Sequence, residues 1–372
     1  MLSGCLKVML AFLFVYFSFY KNFMNTQINS IQIPHTSRTI GSEKALISAE
    51  EVSGSLNVVL QFGFPAQFLA DELREQIAQA TGKTVNLEIR HHIVAHKVQA
   101  GISTIQGVKN IVAIASGKGG VGKSTTTANL ATAMAKMGAR VGVLDADLYG
   151  PSQPTMLGVK NIQPTQQDNR LIPVVNADGI QVMSIGFLID ADQAVVWRGP
   201  MVSQALQQLL FQSQWDNVDY LFIDLPPGTG DIQLTLSQKI PVTGSVVVTT
   251  PQDIALIDAR KAVDMFNKVN IPIMGVLENM SVHICTNCGQ HEAIFGTDGG
   301  KELAAKLGVP LLGQLPLSLP VREAMDAGTA SDLHAQHEAV AAIYQQAAFA
   351  VALAIADKGR DFSSRFPKIV VE

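Results

Sequence analysis

Gly117-Lys118-Gly119-Gly120-Val121-Gly122-Lys123-Ser124 decides the fold of this 372-residue chain. The stretch fits G-x-x-x-x-G-K-[S/T]. It stands between an apolar run that reads as a strand, Asn110–Ser116, and a helical run over 123–137. That context makes a glycine-rich string a phosphate loop. Its glycines let backbone N–H groups turn inward around an anion, and the helix that follows directs its positive end at them. Lys123 is then placed to reach the β- and γ-phosphates of ATP, with the Ser124 hydroxyl on Mg2+ and Thr125 extending the nucleotide-binding run.

On either side of the loop, near-continuous apolar strands alternate with helices, the pattern of a mostly parallel sheet covered on both faces. Further strands are expected at Arg140–Asp147, Tyr220–Asp224, Ser245–Thr250, Ile271–Glu278 and Leu311–Gln314, and helices at 200–212, 253–268, 299–307 and 336–357. The last helix is Ala-rich and apolar, which suits packing on the sheet. The expected class is therefore α/β, a P-loop NTPase domain over 106–360 with a C-terminal tail over 361–372. Upstream, a strand at Leu56–Phe64, a helix at 65–82 and alternation over Thr84–Lys97 predict a small α/β domain at 51–105. His91 and His92 are adjacent on that last strand, point to opposite faces and cannot share a metal.

Hydrophobic residues make up 47% of the chain and charged ones 16%, which excludes general disorder. A net charge of -4 leaves no electrostatic footprint for nucleic acid. Three cysteines, two of them as CxxC, do not form a secreted disulfide framework. Val8–Tyr20 is a thirteen-residue apolar run after Lys7. It matches a signal peptide in length but lacks a small-residue cleavage site, and it is short for a membrane span. A start at Met24, a membrane anchor and export each fit the run. Dependence on cytosolic ATP and reduced thiols favours the first, a cytoplasmic location and no membrane association. Residues 1–50 as a whole are expected to be an apolar stretch followed by a loosely ordered linker.

Asp224 ends the apolar strand at the position where a carboxylate holds magnesium or its waters. Leu225-Pro226-Pro227-Gly228-Thr229-Gly230-Asp231 follows at once, a glycine-rich loop suited to ordering by a γ-phosphate. Asp145 and Asp147 end another strand at the same sheet edge, placed to orient the attacking water, to touch the metal or to cap a turn. Lys118 has no evident task on its own chain's nucleotide, since Lys123 serves it. A cation reaching a neighbouring subunit's phosphates would act as an arginine finger does in trans.

GKGGVGKST (117–125), LDADLYGPS (144–152), WRGP (197–200), DYLFIDLPPGTGD (219–231), ENM (278–280) and CTNC (285–288) occur in this order. Together they resemble the ApbC/Mrp family of iron–sulfur cluster carrier ATPases, within the MinD-like class with a deviant Walker-A loop. The resemblance covers about 100–330, and the small domain resembles the N-terminal module of bacterial members. It implies that Lys118 acts across a homodimer, that Asp147 positions the attacking water and that Asn279 contacts the adenine.

Cys285 and Cys288 supply two thiolates, whereas cluster iron takes four and structural zinc takes four N/S ligands. A twofold dimer brings two such pairs together. The resemblance implies the same, a [4Fe–4S] cluster bridged between subunits and handed to apo iron–sulfur proteins, with cluster-assembly scaffolds as further partners. Rival assignments are an intrachain Cys2His2 zinc site with His283 and His291, whose spacings are tight for zinc, a zinc bridged across the dimer, and a thioredoxin-like redox pair. At the level of function the alternatives are a MinD/ParA-like positioning ATPase with structural zinc at the CxxC, and a nitrogenase-reductase-like electron donor.

Overall fold

The computed structural model describes residues 22–99, 102–148, 150–188, 199–285 and 287–361. The apolar run Val8–Tyr20 and the tail beyond 361 lie outside them, as do Tyr149 and the first two residues of WRGP, Trp197 and Arg198. The chain divides into two compact units, Met1–Ile93 and Val94–Glu372, ahead of the 105/106 boundary expected from the sequence.

In the first unit, strands β1 (Leu46–Val52) and β2 (Ser55–Phe62) form an antiparallel hairpin. The helix Ala70–Thr81 then carries the chain to β3 (Thr84–His91), parallel to β2. Leu73 and Ile77 are buried from the helix, and Gly82 ends it in the left-handed conformation. The loose linker expected before residue 50 is instead folded. Residues 22–29 are helical, and Met24, Ile28, Ile31, Ile33, Ile40 and Ala45 are buried. Met24, Ile28 and Ile31 repeat at helical spacing, a short apolar stripe hidden among polar neighbours.

The second unit is built on an eight-stranded sheet. In chain order its strands are β4 (Val108–Ala115), β5 (Val141–Asp145), β6 (Val174–Val175), β7 (Gln181–Ser184), β8 (Val218–Asp224), β9 (Gly244–Thr249), β10 (Ile273–Glu278) and β11 (Leu311–Gln314). Their spatial order is β11-β10-β9-β4-β8-β5-β7-β6. All neighbours are parallel except the edge pair β6–β7, which is antiparallel. Every residue of β5, β8 and β9 is buried, as expected for strands covered on both faces.

Chain order reverses on either side of β4, so β4 marks the switch point where ligands bind in open α/β sheets. The helix Lys123–Lys136 leaves from there and is buried along most of its length. Its Thr- and Ala-rich sequence suits that position, because small side chains let it lie close to the sheet while Glu338–Ala356 packs on it. That last helix is long and apolar enough to cross a membrane by composition, with 44% of its apolar window buried. It packs on β11 and on the 123–136 helix, as its composition suggests. The helices Asp231–Lys239, Leu319–Ala327 and Ala330–Gln336 are additions to the expected set.

Candidate nucleotide site and thiol hairpin

Gly120 and Gly122 take φ of +84° and +81°, a region that costs other L-residues roughly 1–2 kcal/mol. Gly117 lies so close to the 253–268 helix that a Cβ there would meet the Asp258 carbonyl. The loop thus folds tightly between β4 and the helix starting at Lys123, and lines a cavity of about 250 Å3. Lys118, Gly119, Gly120, Gly122, Lys123, Ser124, Thr125, Asp147, Ser152 and Pro227 border it. Lys118 is exposed, and Val121 is buried beneath the loop.

Lys123 is buried, with Nζ 2.5 Å from Asp224 Oδ1, 3.6 Å from Asp147 Oδ2 and 3.2 Å from Ser124 Oγ. Thr127 donates its hydroxyl to Asp224 Oδ1 at 3.2 Å. Gln153 Nε2 donates to Asp224 Oδ2 at 3.0 Å and to the Ser124 carbonyl at 2.9 Å. The parallel register sets Asp224 directly beside Asp145, so two carboxylates share one buried sheet edge with a single lysine between Asp224 and Asp147. The oxygens of Ser124, Asp224 and Asp147 form a hard donor set of the kind magnesium takes, usually with waters retained.

Asp145 has a different task from the metal or water contact open to it in the sequence. Its Oδ1 accepts the Asp147 N–H at 3.1 Å. Oδ2 accepts the N–H groups of Ser152 (2.9 Å) and Gln153 (3.0 Å) and the Ser184 hydroxyl (3.2 Å). It is a clasp that pins segment 147–153 to β5, the turn-capping role. Burial, then the charge of Asp224, pushes its carboxyl up to about 7, while the Gln153 and Asp147 amides pull it back. The folded chain therefore holds a proton that the unfolded chain releases near pH 4. This group's contribution to stability is largest below about pH 4 and declines as pH rises toward 7. Asp145→Asn removes that slope. The melting temperature of wild type minus that of the variant should shrink from pH 4 to pH 7, measured without nucleotide; a pH-independent difference would contradict the shift.

Asn279 follows β10. Its Nδ2 donates to the Val121 carbonyl at 2.9 Å, and its own N–H to Thr249 O at 2.7 Å. A Cβ at residue 122 would lie 2.2 Å from that Nδ2, so Gly122 is needed for the close approach as well as for its φ. Asn279 is thereby tied to the phosphate loop itself, a contact that its place in ENM does not reveal. Met280, next to it, has φ +56°.

From there the chain leaves the sheet. Ser281 N–H donates to Leu315 O and Leu317 N–H to Val282 O, leading into a small hairpin, His283–Ile284 against His291–Glu292. Its turn is closed by Cys285 N–H to Gln290 O and Gly289 N–H to Cys285 O, both 2.9 Å, with Gly289 at φ +73°. Cys285 is half-buried and Cys288 exposed, and both are free thiols. Hydrogen bonds from the Cys288 and Asn287 backbone, and from the Cys288 side chain, hold the Cys285 thiol below its usual pKa. That favours the thiolate, the form that binds metal. Among the described residues no group of three or more His, Cys, Asp or Glu side chains is placed to hold a metal ion. His283 turns Nδ1 toward Leu317 O at 3.3 Å, and His291 is exposed. One chain's hairpin therefore does not assemble the intrachain Cys2His2 zinc site.

A family model described as ParA, the NUBPL iron-transfer P-loop NTPase, matches residues 107–352. This chain belongs to that family. Similar proteins include an iron–sulfur cluster carrier protein of Escherichia coli K12, 49% identical over 87% of this chain and 89% of its own length. Another is the carrier protein of Pseudomonas fragi, 56% identical over 71% of this chain and 93% of its own. Among solved structures, a nucleotide-binding protein of Archaeoglobus fulgidus in complex with ADP is 37% identical with a TM-score of 0.55, covering 61% of this chain and 89% of that one. The Pyrococcus furiosus cell division ATPase MinD, 22% identical with a TM-score of 0.50 over 65% of this chain and 98% of that one, shares the fold. The P-loop NTPase assignment and the iron–sulfur carrier family expected from the motifs hold.

Gln153, like Thr127 on the same carboxylate, is a site residue that sequence reasoning missed. It lies one position beyond LDADLYGPS, and the signal available was a buried-type polar residue at the start of a proline-containing turn.

Proposed function

We propose that this protein is a cytoplasmic, homodimeric ATPase that carries a [4Fe–4S] cluster on Cys285 and Cys288 of both subunits and passes it to apo iron–sulfur proteins. The observation that carries the proposal is the short connection between the two sites. Asn279, bonded to the phosphate loop at Val121, stands six residues before Cys285 in a segment fixed by backbone bonds to Leu315 and Leu317. A change in the loop when nucleotide binds is thus delivered to the hairpin that bears the thiols. The name of the Escherichia coli relative supports the same cargo. Two cysteines on the hairpin, one half-buried and one exposed, suit a site completed by a second copy and open enough to release its cargo.

In this account Lys123 leaves its carboxylate partners to neutralise the β- and γ-phosphates of ATP. Ser124 and Asp224 would hold Mg2+, which when bound supplies charge neutralisation at the phosphate oxygens. Asp147, 3.6 Å from Lys123 Nζ, orients the attacking water. Asn279 presents the remaining face of its amide to the adenine. Lys118, exposed on the loop, reaches the partner's nucleotide.

The assignment of Lys118 is tested by mixing two inactive variants. Lys118→Ala alone should lose about 10^3-fold in ATP turnover, as for a cation supplied in trans. Mixed with Lys123→Ala, it should regain up to roughly a quarter of wild-type turnover. Half the dimers are then mixed, and each has one complete site of two. A mixture no more active than its components would remove Lys118 from the partner's site.

A further inference from the structure

We infer that Gln153 is a positioning residue for ATP hydrolysis, holding the Asp224 carboxylate in place when Lys123 departs to the phosphates. The inference rests on the reading of this cavity as a Mg2+–ATP site and adds to it a residue outside the phosphate loop and the strand-end carboxylates.

Asp224 is fully buried, and its two oxygens have separate partners. Oδ1 takes the Lys123 ammonium and the Thr127 hydroxyl. Oδ2 takes the Gln153 amide at 3.0 Å. Lys123 cannot stay at 2.5 Å from Asp224 and also serve the β- and γ-phosphates, so ATP binding removes the cationic partner. What remains on Oδ2 is a neutral amide that does not compete for nucleotide. A carboxylate that lost both Lys123 and Gln153 would be held by the Thr127 hydroxyl on Oδ1 alone, with Oδ2 unanchored, and misorientation of a polar group by about 1 Å costs up to about 10^2-fold in rate.

Gln153 is built for that task. It is fully buried, its backbone N–H is fixed by Asp145 Oδ2, and its Nε2 also bonds the Ser124 carbonyl at 2.9 Å. It therefore ties β5 through its backbone N–H, and β8 and the first turn of the 123–136 helix through its side-chain amide. Its Oε1 is buried with no hydrogen-bond partner, a condition that is rare in folded proteins. Ser152 Oγ beside it, on the cavity wall, is likewise unsatisfied. An unpaired hydroxyl on that wall is open to a bound partner, of which a water coordinated to Mg2+ is the fitting class.

Gln153→Met keeps the volume and removes both the donor and the acceptor. In steady-state hydrolysis it should lower kcat by about 10–100-fold and leave the KM for ATP within about threefold. A Mg2+ titration followed by the fluorescence of a bound N-methylanthraniloyl-ADP should show the half-saturating Mg2+ raised several-fold, in a chain whose melting temperature falls but stays above the assay temperature. Gln153→Glu offers a donor to Asp224 only when its new carboxyl is protonated, so its turnover relative to wild type should rise as pH falls from 8 to 6. This variant also serves if the methionine variant fails to fold. Turnover and Mg2+ requirement both within twofold of wild type would overturn the inference. So would kcat, KM and melting temperature collapsing together, or a Gln153→Glu deficit that does not change with pH. Wild type that binds no nucleotide in a Mg2+-dependent way would sink the site assignment itself, an outcome distinct from either.

Discussion

Lys123→Ala should lower ATP turnover by about 10^2–10^3-fold, the loss seen when one preorganised donor to developing charge is removed. The same variant should keep its bound iron close to the wild-type level. Lys123 is buried and stands between Asp224 and Asp147. Its removal therefore also leaves two carboxylates facing each other without a cation, at a cost of several kcal/mol if both remain charged. For that reason Lys123→Met, which keeps the stem packed, is the better variant where the alanine change lowers the melting temperature. Cells relying on either variant should fail to mature client iron–sulfur proteins although the carrier holds cluster. Continued client maturation in such cells would show that hydrolysis and delivery are not coupled.

Cys285→Ala/Cys288→Ala should have the opposite profile. Loss of bound iron and sulfide should be complete, while ATP turnover stays within about twofold of wild type. The reason is geometric. The thiols sit on the two-stranded hairpin beyond residue 281, outside the eight-stranded sheet, and both are accessible. Removing them opens no core cavity and leaves no buried group unpaired, so the melting temperature should be unchanged. A single Cys288→Ala variant retains the half-buried thiolate and should bind iron weakly and incompletely. A double variant that keeps its iron would place the cluster elsewhere.

Much of this was legible in the sequence, for identifiable physical reasons. The phosphate loop was readable because anion binding by backbone amides demands glycines at fixed spacing between a strand and a helix. Asp224 was readable because it ends a continuous apolar run, and fully buried parallel strands leave such runs. The helices 253–268 and 299–307 match their expected ranges because their apolar stripes are local, and Gly308 ends the second in the left-handed conformation.

What escaped depends on tertiary placement. Residues 24 to about 50 read as a polar linker, yet sparse apolar residues among them, Met24, Ile28, Ile31, Ile33 and Ile40, are buried. Asp231–Lys239 carries a mixed sequence, DIQLTLSQK, with no clear helical stripe. The role of Asp145 was open among metal, water and cap, and only the four donors gathered around it decide for the clasp. Gln153 gains its meaning from Asp224 across the sheet, 71 residues away in sequence, a separation that no local pattern encodes.

The central claim is that two copies of Cys285 and Cys288 share one cluster. It is tested most directly by anaerobic reconstitution with iron and sulfide, followed by native mass spectrometry and metal analysis, with Cys285→Ala/Cys288→Ala in parallel. The account predicts a species of two chains with about four irons and four sulfides, absent from the variant. Cluster on a single chain, zinc without iron, or equal metal in wild type and variant would contradict it.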